Sequence, residues 1–407
     1  MTALSPPAVD RPLRLLLLYE TLAPDYAGGI ESRNAELAAA LARRGVEVVL
    51  AGFGASDGPA PTGVTRLSLG EPRGLYNLGG RRSNRRALDY ALRAARLSVR
   101  DFDVVETANM PFAHLPGVSL RCRASGVPLL VVWYEVWGAY WRDYVGPLLA
   151  PLYRTFESAA ARLGTRVAAT SELGRGRLAL LRRRDDVALT PCGLDLERFA
   201  VATAGAPPGP PLVFAGRLLA HKRVDLLLAA LPRLAPLVPH GPLLAIYGDG
   251  PERARLVALA DELGVAPRVQ FHGQVPHLED VWRGLAGARL VVQPSLREGF
   301  GIVPLEAMAA GAPVVFARST ESAVGELVRD GIEGLACEPT AEAFATAIAS
   351  LLGDEVRRGT LARAARRRAG NFDWPALATA YERLLRHLAA RRAAPRQAGG
   401  AARERPR

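Results

Sequence analysis

At 407 residues, 49% of them hydrophobic, the chain can bury two cores of ordinary domain size, and its net charge of +12, carried largely by arginine, suits phosphate-bearing or anionic-lipid partners. The longest nearly uncharged run, GVPLLVVWYEVWGAYW, has Glu135 in its middle and falls short of the roughly 20 apolar residues a membrane span needs. The start MTALSPPAVDRPLRLLLLYE lacks the basic opening and longer apolar core of a signal peptide, and three scattered cysteines (Cys122, Cys192, Cys337) without CxxC spacing suggest neither disulfides nor zinc, so a cytoplasmic protein is expected.

In chain order, short apolar β-rich runs alternate with amphipathic helical patterns. LRLLLLY is followed by NAELAAALARRG, then VEVVLAGF, FDVVET, VPLLVVWY and RVAATS, which is the signature of parallel strands joined by helical crossovers. The helical pattern in GRRSNRRALDYALRAARLSVR gathers Arg82, Arg85, Arg86, Arg93, Arg96 and Arg100, a set suited to peripheral contact with an anionic membrane or simply to a solvated face. Residues 200 to 211, AVATAGAPPGPP, break the alternation, and a linker is expected over 196–211. A second series follows: LVFAGR, VDLLLAALPRL, LLAIYGDG, ERARLVALADELG, RVQFHG, LEDVWRGLAGA, RLVVQPS, PLEAMAAG and APVVFA. The expected architecture is α/β, with two Rossmann-like doubly wound domains facing across a cleft. The basic tail 391–407 is expected to be disordered. DFD at 101–103 offers a superficial metal pair, but Asp103 reads as a strand-end turn residue, and GFGASDG at 52–58 lacks the spacing of a dinucleotide loop.

In open α/β sheets ligands bind beyond the carboxyl ends of strands. Glu298 and Glu306 fall in such a place, between a strand ending near Gln293 and a helix that Pro304 is placed to start and Gly311 to stop. Gly299 and Gly301 let backbone approach a ligand, and Glu306, on the first helical turn, would present its carboxylate to ribose hydroxyls. Each glutamate alone is equally a cap or a solvated loop charge. A second constellation supports them: Arg217 closes a strand, and His221, Lys222 and Arg223 precede a helix, where cations oppose the macrodipole unless an anion such as a nucleotide diphosphate lies between.

The segments GRLLAHK, YGDGPER, FHGQV and PSLREGFGIVPLEAMAAGAPVV resemble the donor domain of family 4 glycosyltransferases, retaining enzymes of the GT-B fold, over about residues 212 to 339. AGGIES, EVWGAYW and PCGLD are consistent with that family's first domain, and FDWPALATAYERLL with its terminal helix. The resemblance implies an acceptor-side domain over 1–195, a donor domain over 212–371 and a helix over 372–390 crossing back to the first domain. It implies that Arg217 and Lys222 bind the donor diphosphate and stabilise the leaving group, that Glu298 lies near the donor sugar hydroxyls, and that Glu306 holds the ribose. Gly299, Phe300 and Gly301 match the loop approaching sugar and phosphate, and Gly28 and Gly29 a glycine pair closing on the donor. No metal or other cofactor is implied, because arginine and lysine meet the leaving-group charge.

One departure is the WYEVWGAYW stretch, where Tyr134 precedes Glu135 and many relatives have histidine. Tyr134, Glu135 and Trp137 are candidates for shaping the acceptor cleft, and His114, in NMPFAHLPG, is the first-domain histidine able to substitute, or an ordinary loop residue. The expected partners are a nucleotide-sugar donor and an unidentified hydroxyl acceptor (a glycan, a lipid-linked or a small molecule), with peripheral contact at the inner membrane face and no nucleic acid. A sugar-nucleotide epimerase of the same fold and a noncatalytic nucleotide-sugar binder remain alternatives.

Overall fold

The computed structural model describes residues 11–26, 28–71, 83–238, 240–241 and 243–393, with side chains to residue 390. Arg82 and the tail beyond 393 lie outside the described residues.

The apolar runs fold into two all-parallel sheets. The first comprises β1 (Arg14–Thr21), β2 (Glu47–Phe53), β3 (Val64–Ser68), β4 (Val104–Ala108), β5 (Leu129–Trp133), β6 (Arg166–Ala169) and β7 (Val187–Leu189), in the order β3-β2-β1-β4-β5-β6-β7. The second comprises β8 (Leu212–Ala215), β9 (Leu244–Tyr247), β10 (Val269–Gly273), β11 (Leu290–Gln293), β12 (Val314–Ala317) and β13 (Gly334–Cys337), in the order β10-β9-β8-β11-β12-β13. Central strands such as LLVVW and LVVQ are buried throughout because helices cover both sheet faces, which is why they read as continuous apolar runs. The doubly wound, two-domain expectation holds.

One face of the first sheet shares a core with helices Asn84–Arg96, Leu115–Ser125 and Ala150–Ala160 through Tyr90, Val118, Cys122 and Ala160. The other face receives helix Gly29–Ala42 and the terminal helix Trp374–Ala393, which inserts Trp374, Ala378, Tyr381 and Leu385. The buried Arg33 guanidinium locks that helix down, donating to Glu106 on β4 at 2.7 Å and to the Tyr381 hydroxyl at 3.0 Å. Two chain crossings lie side by side where the domains join, with Leu194 N donating to Phe372 O at 2.9 Å and Trp374 N to Leu194 O at 3.2 Å. Gly193 is needed there, since a Cβ would come within 2.7 Å of the Trp374 ring.

Two boundaries differ from the sequence reading. Residues Leu196–Thr203, assigned to the linker, form a helix that Asp195 caps by accepting from Arg198 N, and Phe199 is buried against Trp282 at 5.1 Å between ring centroids. Only the stretch after Thr203 is irregular, because a capped turn with one buried aromatic outweighs a small-residue composition. The helix carrying Glu306 begins at Ile302, so Pro304 is its third residue and Glu306 its fifth. The proline still lies in the first turn, where its missing N–H has no intrahelical acceptor.

Candidate active site

The carboxyl ends of the two sheets face one another, and the predicted residues gather where their loops meet. Just after β11, Glu298 accepts from Lys222 Nζ at 2.5 Å and from the Gln293 amide. Burial opposes its charge, but Lys222, Ser295 and Gln293 outweigh that and hold the carboxyl below its ordinary range. Lys222 ends a short 3-10 turn, Ala220–Lys222, after β8, and Arg223 adopts a left-handed φ of 52° that starts helix Val224–Leu234. His221 is pushed down to about 4, first by burial and then by Lys222, so its imidazole is neutral in ordinary buffers. Arg217 is half-buried two residues beyond the end of β8.

Gly299 brings the two domains together. A Cβ there would overlap Tyr134 O and lie 2.7 Å from Glu135 Cγ, so the donor-side loop can reach the first domain only as glycine. Gly301 has φ 102° and turns the chain into the Ile302–Ala310 helix. On the facing side Gly28 precedes the first helix in extended conformation, and a Cβ on Gly29 would touch Ile302 Cδ1 at 3.0 Å. The glycine pair therefore abuts the start of the Glu306 helix.

Glu135 is half-buried beside Glu298 and Arg297, and burial raises its carboxyl above the ordinary range against the opposing pull of Arg297. Tyr134 points its hydroxyl at Asn34 Oδ1, 3.4 Å away, and its ring lies 5.9 Å from the Arg33 guanidinium, so it belongs to the junction between cores. Burial lifts its phenol well above 10. Trp137 opens an aromatic group, with ring centroids 4.6 Å from Trp141, 4.8 Å from Tyr144 and 5.2 Å from Tyr140. That turn is fixed by the buried Glu157, which accepts from Trp137 N at 2.6 Å, Gly138 N at 2.9 Å and Trp141 Nε1 at 3.1 Å.

Three assignments change. Glu306 does not open onto the cleft: it is 3% exposed and accepts from Trp282 Nε1 at 2.8 Å, because the fifth helical position faces the neighbouring helix Leu278–Gly287. Burial raises its carboxyl to about 8, with a further push from Glu36. Phe300 turns away from the cleft into the second-domain core, edge-on to Phe372 at 5.8 Å. His114 is fully buried beneath β4, with Nε2 2.8 Å from Thr107 Oγ1, Nδ1 against Pro111 O and its ring 5.0 Å from Tyr90. It is a core residue, not an acceptor-side one. Asp103, the doubtful metal ligand, accepts from Arg14 N at 2.9 Å and from Arg11.

The sequence reading missed Arg297, Tyr140, Arg177 and Glu321. Arg297 donates to Glu135 at 3.4 Å and to Glu321 at 3.0 Å and lies over the Tyr140 ring, 4.3 Å from its centroid. Their partners are distant in sequence, so no local signal marks them.

Two facing parallel-sheet domains with a cation–carboxylate pair at the cleft define a GT-B glycosyltransferase architecture. The family model described as Glycosyltransferase Family 4 matches residues 27–198, and that described as Glycosyl transferases group 1 matches residues 196–368. The chain belongs to this family, glycosyltransferase family 4. It is 38% identical to a glycogen synthase of Mycobacterium tuberculosis over 203 residues, 49% of this chain and 48% of that protein. It is 37% identical to a D-inositol 3-phosphate glycosyltransferase of Rhodococcus opacus over 199 residues, 45% and 44% of the respective chains. The chain thus spans about half the length of the curated relatives it matches. Among solved structures, sucrose-phosphate synthase from Thermosynechococcus elongatus superposes with a TM-score of 0.76 at 24% identity, covering 93% of this chain and 100% of that one. The Anabaena protein HepE in complex with UDP and glucose superposes at 0.70 with 19% identity, covering 92% and 99%.

Proposed function

We propose that this protein is a retaining glycosyltransferase that moves a hexosyl or related sugar from a nucleotide-diphosphate donor to an acceptor hydroxyl, using no metal or other cofactor. The observation that carries this reading is the hydrogen-bonded row Gln293–Glu298–Lys222 at the ends of β8 and β11, facing Glu135 of the other domain. In the reaction the bond between the anomeric carbon and the diphosphate oxygen breaks, and the electron pair leaves with the diphosphate. The acceptor oxygen forms the new bond on the same face of the sugar, and its proton passes to the departing diphosphate. Lys222 and Arg217 meet the charge growing on the leaving oxygens, a role in which fixed cations need no reorganisation. Glu298, kept ionised by its neighbours, accepts hydrogen bonds from the sugar hydroxyls.

The acceptor is proposed to meet the Trp137 aromatic group, since sugar C–H faces stack on such rings, and peripheral membrane contact is proposed for the helical layer outside it. Leu88 and Leu92 are exposed on the helix that carries Arg85 and Arg96, Leu120 on the helix that carries Arg121, and Leu152 and Phe156 on the helix that carries Arg154. All three helices bury their other sides in one core. Mixed exposed leucine and arginine suits an anionic bilayer surface. Among the described residues no helix is long and apolar enough to cross a membrane.

The test incubates UDP-, GDP- and ADP-sugars with glycan, lipid-extract and small-polyol acceptors, measuring nucleoside diphosphate release and the anomeric configuration of any product by NMR. An α-linked product from an α-linked donor supports the reading. Nucleoside diphosphate released with a free, epimerised sugar would assign the protein to epimerases instead, and binding without turnover on every acceptor would make it a sensor.

A further inference from the structure

Arg297 directly precedes Glu298, yet much of its environment belongs to the opposite domain. It is 7% exposed. One guanidinium nitrogen donates to Glu135 at 3.4 Å and the group stacks on Tyr140 at 4.3 Å, both first-domain residues. The other terminal nitrogen donates to Glu321 of its own domain at 3.0 Å. Glu321 is in turn gripped by Arg177 of the first-domain helix Glu172–Arg182, through bonds of 2.9 and 2.6 Å. The sequence of contacts Glu135–Arg297–Glu321–Arg177 therefore passes between domains twice. Separating the two domains would break both crossings.

The same strip is tied to the site through its backbone. Ala323 N donates to Glu298 O at 2.9 Å, and Ser319 Oγ to Leu296 O at 2.8 Å, so the loop bearing Glu321 and the loop bearing Glu298 move as one piece. Tyr140 extends the contact, with its hydroxyl 3.4 Å from His221 Nδ1, the residue before Lys222. An arginine suits this post because one planar group can stack on a ring while addressing two carboxylates, which an ammonium cannot do.

We propose that Arg297 is a positioning residue that couples domain closure to the placement of Glu298 and Lys222, so that turnover depends on it and nucleotide affinity does not. The proposal rests on the glycosyl-transfer reading for its kinetic consequence and on geometry alone for closure. Separation of the domains would cost Arg297 both Glu135 and Tyr140 together.

The experiment compares wild type, Arg297→Gln, Arg297→Lys and Tyr140→Leu. UDP and GDP titrations by calorimetry give nucleotide affinity, steady-state kinetics with an active donor give kcat and KM, and small-angle scattering gives the radius of gyration. Arg297→Gln is expected to bind the nucleoside diphosphate within about twofold of wild type while losing about tenfold or more in kcat, the pattern of an interaction completed after binding. Arg297→Lys should recover part of kcat, and Tyr140→Leu should show a smaller loss with the charge intact. The radius of gyration should rise in Arg297→Gln. Unchanged kcat, or nucleotide affinity falling by the same factor as kcat, would overturn the coupling. If wild type itself turns over no nucleotide sugar, the glycosyl-transfer reading fails, and scattering alone decides closure: a radius identical in Arg297→Gln and wild type rejects it.

Discussion

Glu36 of the first domain, its side chain 10% exposed, and the buried Glu306 of the second are carboxylates on either side of the domain junction, and each accepts one indole N–H: Trp374 Nε1 at 2.7 Å for Glu36, Trp282 Nε1 at 2.8 Å for Glu306. Burial raises Glu36 to about 7 and Glu306 to about 8, and each tryptophan contact offsets only part of that rise. Unfolded glutamate titrates near about 4.3, so between that value and the folded one the native state binds more protons than the unfolded state. The contribution to stability is therefore complete below about pH 4.3 and is lost as pH rises through about 7 to 8. Glu306→Gln keeps an acceptor for Trp282 without a charge to desolvate. Its melting temperature is expected to exceed that of wild type at pH 8.5, by about 2 °C or more, and to match it at about pH 4, below the unfolded pKa. Calorimetric scans at the two pH values check this, and a difference of equal size at both would mean that the carboxylate is not the cause.

The second expectation concerns Lys222. Replacing it with alanine removes the partner that keeps Glu298 ionised and takes a cation from the diphosphate site. Nucleoside diphosphate affinity should fall by roughly tenfold or more, since a charge-assisted bond contributes about 1.5–3 kcal/mol. Glu298→Gln should leave diphosphate affinity nearly intact and act on turnover. Calorimetry with UDP and GDP separates the two. Equal effects of both variants on diphosphate binding would contradict the division of roles.

How much of this was legible in sequence differs between the fold and the site. The strands and the β11-to-helix turn carry local signatures: continuous apolar runs, Gln293 before a loop, Gly301 and Gly311 at helix ends. Edge strands β3 and β7 went unread because VTRLS alternates and VAL is only three residues long. Glu298 and Lys222 were each visible, but their mutual contact joins loops 76 residues apart. Arg297 went unread because its carboxylate partner in the first domain is 162 residues away. Glu306 and Phe300 were placed on the right element and the wrong side of it, since helical start and face depend on packing against Leu278–Gly287 and Phe372.

A third expectation tests the membrane face. Sedimentation with phosphatidylserine vesicles at low salt, with release at high salt, follows if Arg85, Arg96, Arg121 and Arg154 supply about 1 kcal/mol each near an anionic surface. Leu152→Asp with Phe156→Asp should reduce the bound fraction even at low salt, because both side chains are more than half exposed. Neutral phosphatidylcholine vesicles should bind poorly. Absence of sedimentation on either lipid at any salt rejects the surface.

The last expectation separates Tyr134 from the two histidines. A catalytic histidine of ordinary titration leaves a limb near about pH 6.5 in the rate profile. His114 is enclosed between Thr107, Pro111 and Tyr90 and has no path to the cleft, and His221 is pushed down to about 4 and stays neutral above pH 5. Tyr134, raised well above 10, stays protonated throughout. Between pH 5 and 9 the wild-type rate should therefore show no histidine limb near 6.5. His114→Ala should cost about 2–4 kcal/mol of stability through its cavity and the lost Thr107 bond, without changing the shape of the profile. Tyr134→His should likewise introduce no limb near 6.5, because the side chain at this position points to Asn34 and the buried Arg33 guanidinium and not into the cleft. Rates from pH 5 to 9 for all three proteins, with unfolding followed in parallel, decide the matter: a wild-type limb abolished in His114→Ala would place a catalytic histidine where the packing allows none.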